Sequence, residues 1–251
     1  MEHVTKAQIK LVRSLQQKKY RDENDLFVAE GDKCVEEIRK AFPLVYLFRE
    51  GENATRTEIE QMSSLRTPQG VIGVFRKVES QKSKVESQKS IVEGDDLIVA
   101  LDGVQDPGNL GTIIRTCDWF GVRRLICSRD TADCFNPKVV QATMGALARV
   151  RVEYVDLVSW IQEFKIQNLK FKIVGTLLDG RDLYESPITN NQSSRTVVIM
   201  GNEGNGISEA VRRLITDPVR IPSYPKDVET SESLNVSIAT AIILAELRRN
   251  A

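Results

Sequence analysis

The stretch LIVALDGVQDPGNLGTIIRTCDWFG, residues 97–121, holds an apolar run, a loop and a helical pattern in direct succession. LIVAL at 97–101 is typical of a strand that is buried on both faces. Gly, Pro and Asn occupy the loop, and apolar residues then recur at helical spacing at Leu110, Ile113, Ile114 and Cys117. Strand, loop and helix in this order predict one unit of a parallel α/β sheet.

The same alternation continues on both sides of this unit. Further strands are predicted at 124–127, 148–155, 171–178 and 196–200, and the nearly all-apolar segment 234–247 predicts a buried helix. Upstream, predicted strands at 26–29, 43–48 and 70–75 alternate with helices near 31–40 and 55–62, and Thr5 with Gln8 has the pattern of a helix start. We therefore expect an α/β chain with a small N-terminal domain and a larger, mostly parallel C-terminal sheet.

A perfect tandem repeat, KVESQKS at 77–83 and again at 84–90, divides the chain. Each copy has a single apolar residue, so the repeat has no coiled-coil seam and reads as a polar linker. Alternatively, the first copy finishes a strand that begins at 70–75, and the second copy is an inserted loop. The expected organisation is an N-terminal domain at 1–76, a linker at 77–94 and a C-terminal domain at 95–251.

Composition excludes several classes of protein. With 41% hydrophobic and 28% charged residues and no run of 18 apolar residues, the chain reads as globular rather than membrane-spanning. The first residues lack an apolar signal core, which favours the cytoplasm. Four cysteines without a C-x-x-C pair and a single histidine, His3, argue against a metal site and against hydrolases of the Ser-His or Cys-His type.

The overall charge is balanced, but the first 21 residues hold six basic residues and one acidic residue, Glu2. A solvated helix face and a surface that contacts nucleic-acid phosphates explain this excess equally well. The candidate phosphate contacts are Lys6, Lys10, Lys18, Lys19 and Arg21.

Two further loops follow predicted strands, VVIMGNEGNGIS at 197–208 and IPSYPKDVETSESLNVS at 221–237. Open α/β sheets bind ligands at this end of their strands, although the loop that starts at 101 has neither P-loop nor dinucleotide spacing. Each candidate also has a structural explanation. Arg115 is then a surface arginine, Glu203 complements a helix starting near Ile207, and Ser233 and Asn235 are helix caps.

Together, the three loops resemble the motifs of the SpoU-type (TrmH-like) RNA 2′-O-ribose methyltransferases of the SPOUT superfamily. Residues 96–249 carry them in the family's order: Asn109 and Arg115, then GNEG at 201–204, then SLN at 233–235. KKYR at 18–21, FVAEG at 27–31 and PQGVIGVF at 68–75 resemble the ribosomal-protein-like RNA-binding domain that often precedes them.

The resemblance implies a trefoil knot in the C-terminal domain and S-adenosylmethionine bound within it. It implies a homodimer as well, because the family commonly pairs through helices beside the knot and the 234–247 helix is so apolar. Between Ile221 and Ser233 the chain is longer than the family's compact loop. The residues expected to line the cofactor site are Thr176, Leu177, Gly201, Asn202, Gly204, Ile221 and Leu234.

The resemblance also implies roles in methyl transfer without a metal. Arg115 would stabilise the developing 2′-alkoxide, with a substrate phosphate as a candidate proton acceptor. Asn109 would orient the substrate or Arg115, and Glu203 would hold Arg115 or a hydroxyl. Ser233 and Asn235 would shape the ribose site.

The expected substrate is ribosomal RNA. Three alternatives remain open on the same scaffold: a non-catalytic RNA-binding or ribosome-assembly factor, a tRNA-modifying enzyme, and a SPOUT enzyme that methylates a base.

Overall fold

The computed structural model describes residues 3–78, 96–167, 171–185, 195–225, 231 and 233–249. The N-terminal part consists of α1 (Lys6–Ser14), α2 (Lys18–Asn24), β1 (Leu26–Glu30), α3 (Asp32–Ile38), β2 (Leu44–Arg49), α4 (Arg56–Met62) and β3 (Val71–Arg76). The C-terminal part consists of β4 (Leu97–Asp102), α5 (Pro107–Trp119), β5 (Arg124–Ser128), α6 (Pro137–Thr143), β6 (Arg151–Val155), α7 (Leu157–Gln167), β7 (Lys172–Asp182), β8 (Thr196–Gly201), α8 (Glu209–Arg212), β9 (Asp217–Arg220) and α9 (Val236–Arg248).

The small N-terminal sheet is antiparallel, with strand order β1-β3-β2. Two of the helices around it begin with a reciprocal capping box, Thr5 with Gln8 at α1 and Thr55 with Glu58 at α4. In each box the hydroxyl accepts one of the first free backbone N–H groups and the longer side chain accepts another. The helix start predicted at Thr5 is confirmed.

The C-terminal sheet is parallel throughout, with strand order β6-β5-β4-β8-β7-β9. Its central strands β4, β5 and β8 are buried along almost their whole length, as their continuous apolar runs predict. The expected fold class is confirmed, and the trefoil knot stays a prediction. One predicted strand, 148–155, begins later, at Arg151, because Gly145 turns with positive φ into a short 3₁₀ helix at Ala146–Ala148.

The two sheets share one hydrophobic core. One face of the small sheet packs against α1 and α4, while the other face contributes Phe27 and Phe75 to the main core of the C-terminal part. Phe27 and Phe42 meet Phe135, which precedes α6, with ring centroids 4.7 and 6.0 Å apart. The N-terminal and C-terminal domains are therefore joined by a buried apolar contact like the hydrophobic core of a single domain.

The predicted linker at 77–94 begins inside this packed region. Lys77 is buried, its Nζ lies 2.6 Å from Asp22 and 5.3 Å from the Phe135 ring centre, and Val78 packs on the main core. These two residues belong to the fold. Residues 79–94, with most of the repeat, lie outside the described residues. Across the described ranges, none of the helices has the length and apolar character to cross a bilayer.

Candidate functional site

The carboxyl ends of four neighbouring strands form one edge of the large sheet. Asp102 at the end of β4 pairs with Gly201 at the end of β8, and Thr176 in β7 pairs with Val219 in β9. The Thr176 hydroxyl donates to the Ile199 carbonyl of β8 at 3.4 Å. This is the edge at which open α/β sheets bind ligands. The first two predicted loops start here side by side.

Three side chains join the three predicted loops. Asn109 Nδ2 donates to Glu203 Oε1 at 3.0 Å, and Asn235 Nδ2 donates to Asn109 Oδ1 at 2.9 Å. Residues that are 94 and 126 positions apart in the chain thus form one hydrogen-bonded row. We call Glu203, Asn109 and Asn235 the polar row. The glutamate and the terminal asparagine are exposed, so a ligand can reach both ends.

Glu203 also lies at the positive end of α5. Its two carboxylate oxygens accept the backbone N–H groups of Gln105 and Asp106, each at 3.4 Å. An anion is stabilised at such a position by free N–H groups and the helix dipole. The alternative that Glu203 serves a helix starting near Ile207 is wrong, because α8 begins at Glu209 and the carboxylate faces α5 instead.

Asn235 has two functions. Its Oδ1 caps α9 by accepting the N–H groups of Ser237 at 2.9 Å and Ile238 at 3.4 Å, so the capping interpretation is correct for this residue. Its Nδ2 remains free of the cap and reaches Asn109. Ser233 is exposed and precedes the cap by two residues.

Both polar atoms of the Asn202 side chain form hydrogen bonds that shape the second loop. Oδ1 accepts the N–H groups of Gly204 and Asn205 at 2.9 and 3.0 Å, and Nδ2 donates to the Gly103 carbonyl of the first loop at 2.7 Å. This amide therefore holds the two loops together. The Asn202 side chain is therefore occupied within the protein, and the exposed Glu203 side chain remains available to a ligand.

Gly201 occupies a position where a side chain has no room. A Cβ there would lie 2.3–2.6 Å from backbone atoms of Gly206 and Ile207. We expect Gly201→Ala to lower the free energy of unfolding by about 1–3 kcal/mol, the usual cost of overpacking, and to weaken ligand binding at this edge. Chemical denaturation measures the first effect.

Gly204→Ala is the matched control for Gly201→Ala. Its Cβ would meet only Asn202 Oδ1, at 3.6 Å, so a stability close to that of the unchanged chain is expected. Equal losses in the two variants would contradict the close approach described for Gly201.

The remaining candidates for cofactor contact lie at the same edge. Thr176 and Leu177, in the middle of β7, and Ile221, just after β9, are half-buried, and Leu234, just before α9, is 49% exposed. Half-buried apolar side chains beside backbone polar groups suit a ligand with a flat apolar part and a polar part. The donor set therefore fits a nucleoside such as that of S-adenosylmethionine. Residues 226–230 and 232 of the longer loop lie outside the described residues.

Arg115 does not join the polar row. It follows Asn109 by six residues in α5, which places it about 120° around the helix axis and about 9 Å along it. It is exposed on the same face as Trp119, and within the described residues it makes no hydrogen bond or ion pair. Of the two partners expected for Glu203, Arg115 or a hydroxyl, Arg115 does not reach it within the single chain, in which Glu203 binds Asn109.

Arg21 is misassigned as a phosphate contact. Its side chain is only 2% exposed and its Nη2 forms an ion pair with Asp133 at 2.6 Å, so it cannot reach a ligand outside the protein. The other predicted contacts, Lys6, Lys10, Lys18 and Lys19, are exposed. Lys6, Lys10 and Arg13 line an open cavity of about 330 Å³ together with Ile9 and Gln61.

The four cysteines offer no nucleophile. All are buried and unpaired, and burial raises the pKa of Cys34 to about 11 and the pKa of Cys117 and Cys134 further. Among the described residues there is also no cluster of His, Cys, Asp and Glu side chains that could hold a metal ion.

Comparison with known proteins identifies the family to which this chain belongs. Residues 96–245, which contain all three loops, match the model of the SpoU rRNA Methylase family. The chain belongs to the SpoU rRNA methylase family. Residues 6–73 match the MRM3-like substrate binding domain. The resemblance seen in the sequence is thereby confirmed, and we call residues 96–245 the SpoU domain.

Similar proteins span the whole chain. It is 29% identical to the 23S rRNA (guanosine(2553)-2′-O)-methyltransferase RlmP of Bacillus subtilis, with 99% of this chain and 98% of that protein covered. A TrmH-family structure from Porphyromonas gingivalis has a TM-score of 0.84 and 36% identity, with 99% of both chains covered. An AdoMet-bound rRNA methyltransferase from Sinorhizobium meliloti has a TM-score of 0.81 and 30% identity, covering 99% and 97%.

Sequence reasoning missed residues that support the first loop of the SpoU domain. Asp106 caps α5 by accepting the Asn109 N–H at 2.8 Å, and Ser128 Oγ accepts the Gly103 N–H at 2.8 Å. The Asp-Pro pair at 106–107 is a typical helix start and could have been recognised. Ser128 carries no such signal, because its role depends on β4 and β5 lying side by side.

Proposed function

We propose that this chain transfers a methyl group from S-adenosylmethionine to a ribose 2′-hydroxyl of 23S rRNA, in the cytoplasm. The observation that carries the proposal is the polar row, which brings one characteristic residue from each of the three loops to the ligand edge of the SpoU domain. Family membership and the likeness to RlmP, a 23S rRNA guanosine 2′-O-methyltransferase, support it.

The cofactor supplies an electrophilic methyl group when bound. The chain then has two tasks, which are to hold the 2′-oxygen in line with that methyl group and to help the hydroxyl lose its proton. Thr176, Leu177, Gly201, Gly204, Ile221 and Leu234 are the residues we assign to cofactor binding.

We assign the polar row to the ribose side of the site. Glu203 is a carboxylate held at the start of α5 and can accept a hydrogen bond from a ribose hydroxyl. Asn109 fixes Glu203 on one side and Asn235 on the other. Ser233, two residues before Asn235 in the chain, is exposed and is assigned to offer a further hydroxyl to the substrate.

We assign stabilisation of the developing alkoxide to Arg115. A guanidinium stays charged at any pH of interest, so it is a poor base but a good partner for a developing anion. Within one chain it lies on the exposed face of α5, away from the polar row, and this leads to the proposed assembly.

The proposed assembly is a homodimer formed through α5 and α9. These helices run side by side, since Asn109 meets Asn235 near their starts and Arg248 Nε donates to the Phe120 carbonyl near their ends at 3.1 Å. Trp119, at the end of α5, is 85% exposed, and Ile238, near the start of α9, is 53% exposed. Apolar side chains of this size favour burial against a second copy of the same surface.

We expect Trp119→Glu to convert the dimer to a monomer, because the substitution places a charge where a large apolar side chain would be buried in the proposed interface. Light scattering at micromolar concentration measures the change. Tyr184→Glu, at a residue that is 54% exposed elsewhere, should leave the mass of the particle unchanged. A chain that is already monomeric before substitution would refute the proposed assembly.

We assign RNA capture to the basic face of α1 and α2, formed by Lys6, Lys10, Lys18 and Lys19. Replacing all four with Gln should weaken RNA binding and flatten its salt dependence, by roughly 0.7–0.9 in log–log slope for each phosphate that the chain no longer neutralises. Cofactor affinity should stay the same. Filter binding at several salt concentrations measures both affinity and slope.

Lys33 and Lys138 provide the control for that experiment. Both are exposed, on α3 and α6 respectively, and lie outside the basic face. Replacing this pair with Gln should change the slope less than replacing Lys6 and Lys10. An equal change would mean that net charge, and not this face, determines RNA binding.

The direct test of the proposed function uses the purified chain, labelled S-adenosylmethionine and unmodified 23S rRNA transcript. We expect label in 23S rRNA, none in a tRNA pool, and saturable binding of the cofactor in the absence of RNA. A non-catalytic assembly factor would bind RNA without transferring label. Label in tRNA alone would support the tRNA-modifying alternative.

A further inference from the structure

We propose that Arg21 is a positioning residue, which fixes the basic helix α1 at a set distance from the methyl-transfer site through its buried ion pair with Asp133. Its effect on catalysis rests on the proposed function, whereas its effect on domain geometry does not.

The guanidinium of Arg21 binds both domains at once. Nε and Nη2 donate to Asp133 Oδ2 at 3.1 and 2.6 Å. Nη1 donates to the carbonyls of Leu15 and Gln16 at 2.9 and 2.8 Å, which lie just past the last turn of α1. The planar group with its fixed fork of donors satisfies all three acceptors, and a lysine ammonium cannot reproduce this geometry.

Asp133 lies in a segment that is hydrogen-bonded to the first loop of the SpoU domain, and it thereby connects Arg21 to that loop. Its Oδ1 accepts the Phe135 N–H at 3.0 Å, which fixes the carboxylate within the segment 129–136. In the same segment the Ala132 N–H donates to the Val104 carbonyl at 2.9 Å. Val104 directly precedes the two N–H groups that hold Glu203, so hydrogen bonds and a few residues of chain join the end of α1 to the polar row.

The two domains are held together mainly by apolar side chains and not by the Arg21–Asp133 ion pair. Phe27, Phe42 and Phe135 form an apolar contact that holds the domains together without the ion pair. Such a contact is non-directional, and a buried ion pair gains little net stability because its desolvation offsets its Coulomb attraction. The directional bonds of Arg21 end at the last turn of α1 and set its orientation toward the SpoU domain, whereas another ion pair between the domains, Arg149 with Glu37, ends on α3.

The first experiment measures this orientation directly. Spin labels at Ala7→Cys in α1 and Gln162→Cys in α7 report the distance between domains, and the four native cysteines are buried and stay unlabelled. An excess of unlabelled chain leaves one labelled copy in each assembly. We expect one narrow distance with Arg21 and a broadened distribution with Arg21→Lys.

Arg124→Lys is the matched control. Arg124 is equally cationic and buried, and it binds Glu153 at 2.7 Å entirely within the SpoU domain. Its substitution should lower stability without changing the distance. If Arg21→Lys fails to fold, Asp133→Ala removes both the charge and the acceptor of the Arg21 bonds for the same measurement. A narrow, unshifted distribution in the Arg21 or Asp133 variant overturns the proposal.

The second experiment separates positioning from stability. Arg21→Lys should raise the KM for 23S rRNA about tenfold while kcat and cofactor affinity stay the same. The reason is that α1 and the methyl-transfer site would no longer be held in the orientation that lets both contact the same RNA molecule. Arg124→Lys should leave that KM unchanged. An unchanged KM for Arg21→Lys overturns the proposal even if stability falls. Absence of methyl transfer by the unsubstituted chain refutes the proposed function instead, and the distance measurement then decides on Arg21 alone.

Discussion

Replacing Arg115 with Ala should lower the rate of methyl transfer by about 10²- to 10³-fold, the usual effect of removing one group that stabilises a developing oxyanion. Arg115 is exposed and makes no hydrogen bond or ion pair within the described residues, so its loss should leave the fold intact. Arg115→Lys should also transfer slowly, because an ammonium lacks the planar fork. Single-turnover rates with saturating RNA measure the effect.

Cofactor affinity is the control for the Arg115 variants. The residues assigned to cofactor binding lie on other loops, so calorimetry should give the same dissociation constant with and without the guanidinium. A variant with near-normal turnover would remove Arg115 from the reaction. A variant that loses cofactor binding would mean that Arg115 contacts the cofactor instead of the ribose oxygen.

Asn109→Asp should abolish most activity by breaking the polar row at its centre. The donor that now meets Glu203 at 3.0 Å would become a second carboxylate, and two negative charges at that distance repel strongly. We expect a loss of about 10²-fold or more in kcat at neutral pH. Thr112→Asp, one turn further along the exposed face of α5, adds the same charge away from Glu203 and should have a much smaller effect.

The pH profile distinguishes this mechanism from simple damage. Repulsion raises the pKa of one of the two carboxyl groups, because a like charge disfavours the ionised form. As the pH falls, that group binds a proton and can donate to its neighbour as Asn109 does. The ratio of variant to normal activity should therefore rise as the pH falls. A ratio independent of pH would mean that the row is disrupted for another reason.

Much of the fold follows from local patterns in the sequence. The apolar run at 97–101 and the spacing from Leu110 to Cys117 specify β4 and α5, and Thr5 with Gln8 specifies the start of α1. These patterns are legible because burial on both faces, on one helix face or at a cap each restricts the residue type. The three site loops are predictable as loops for the same reason.

Contacts between distant segments are not legible in this way. The residues around Arg21 in the sequence predict an exposed cation. Its side chain is buried against Asp133 only because α2 packs against the segment that follows β5. Glu203 faces α5 and not the nearer α8, because parallel pairing of β4 with β8 sets the two loops side by side. Neither the Arg21–Asp133 contact nor the position of Glu203 can be predicted from a single sequence, because each depends on how distant segments are arranged in space.

The central claim is methyl transfer to a ribose 2′-oxygen, and mapping the methylated atom tests it most directly. Unmodified 23S rRNA is treated with the chain and S-adenosylmethionine, then hydrolysed with alkali and analysed by mass spectrometry. A 2′-O-methyl group removes the hydroxyl that alkaline cleavage needs, so the account predicts one alkali-resistant dinucleotide that carries the added methyl group. A methyl group on a base, recovered from fully cleaved mononucleotides, would contradict it.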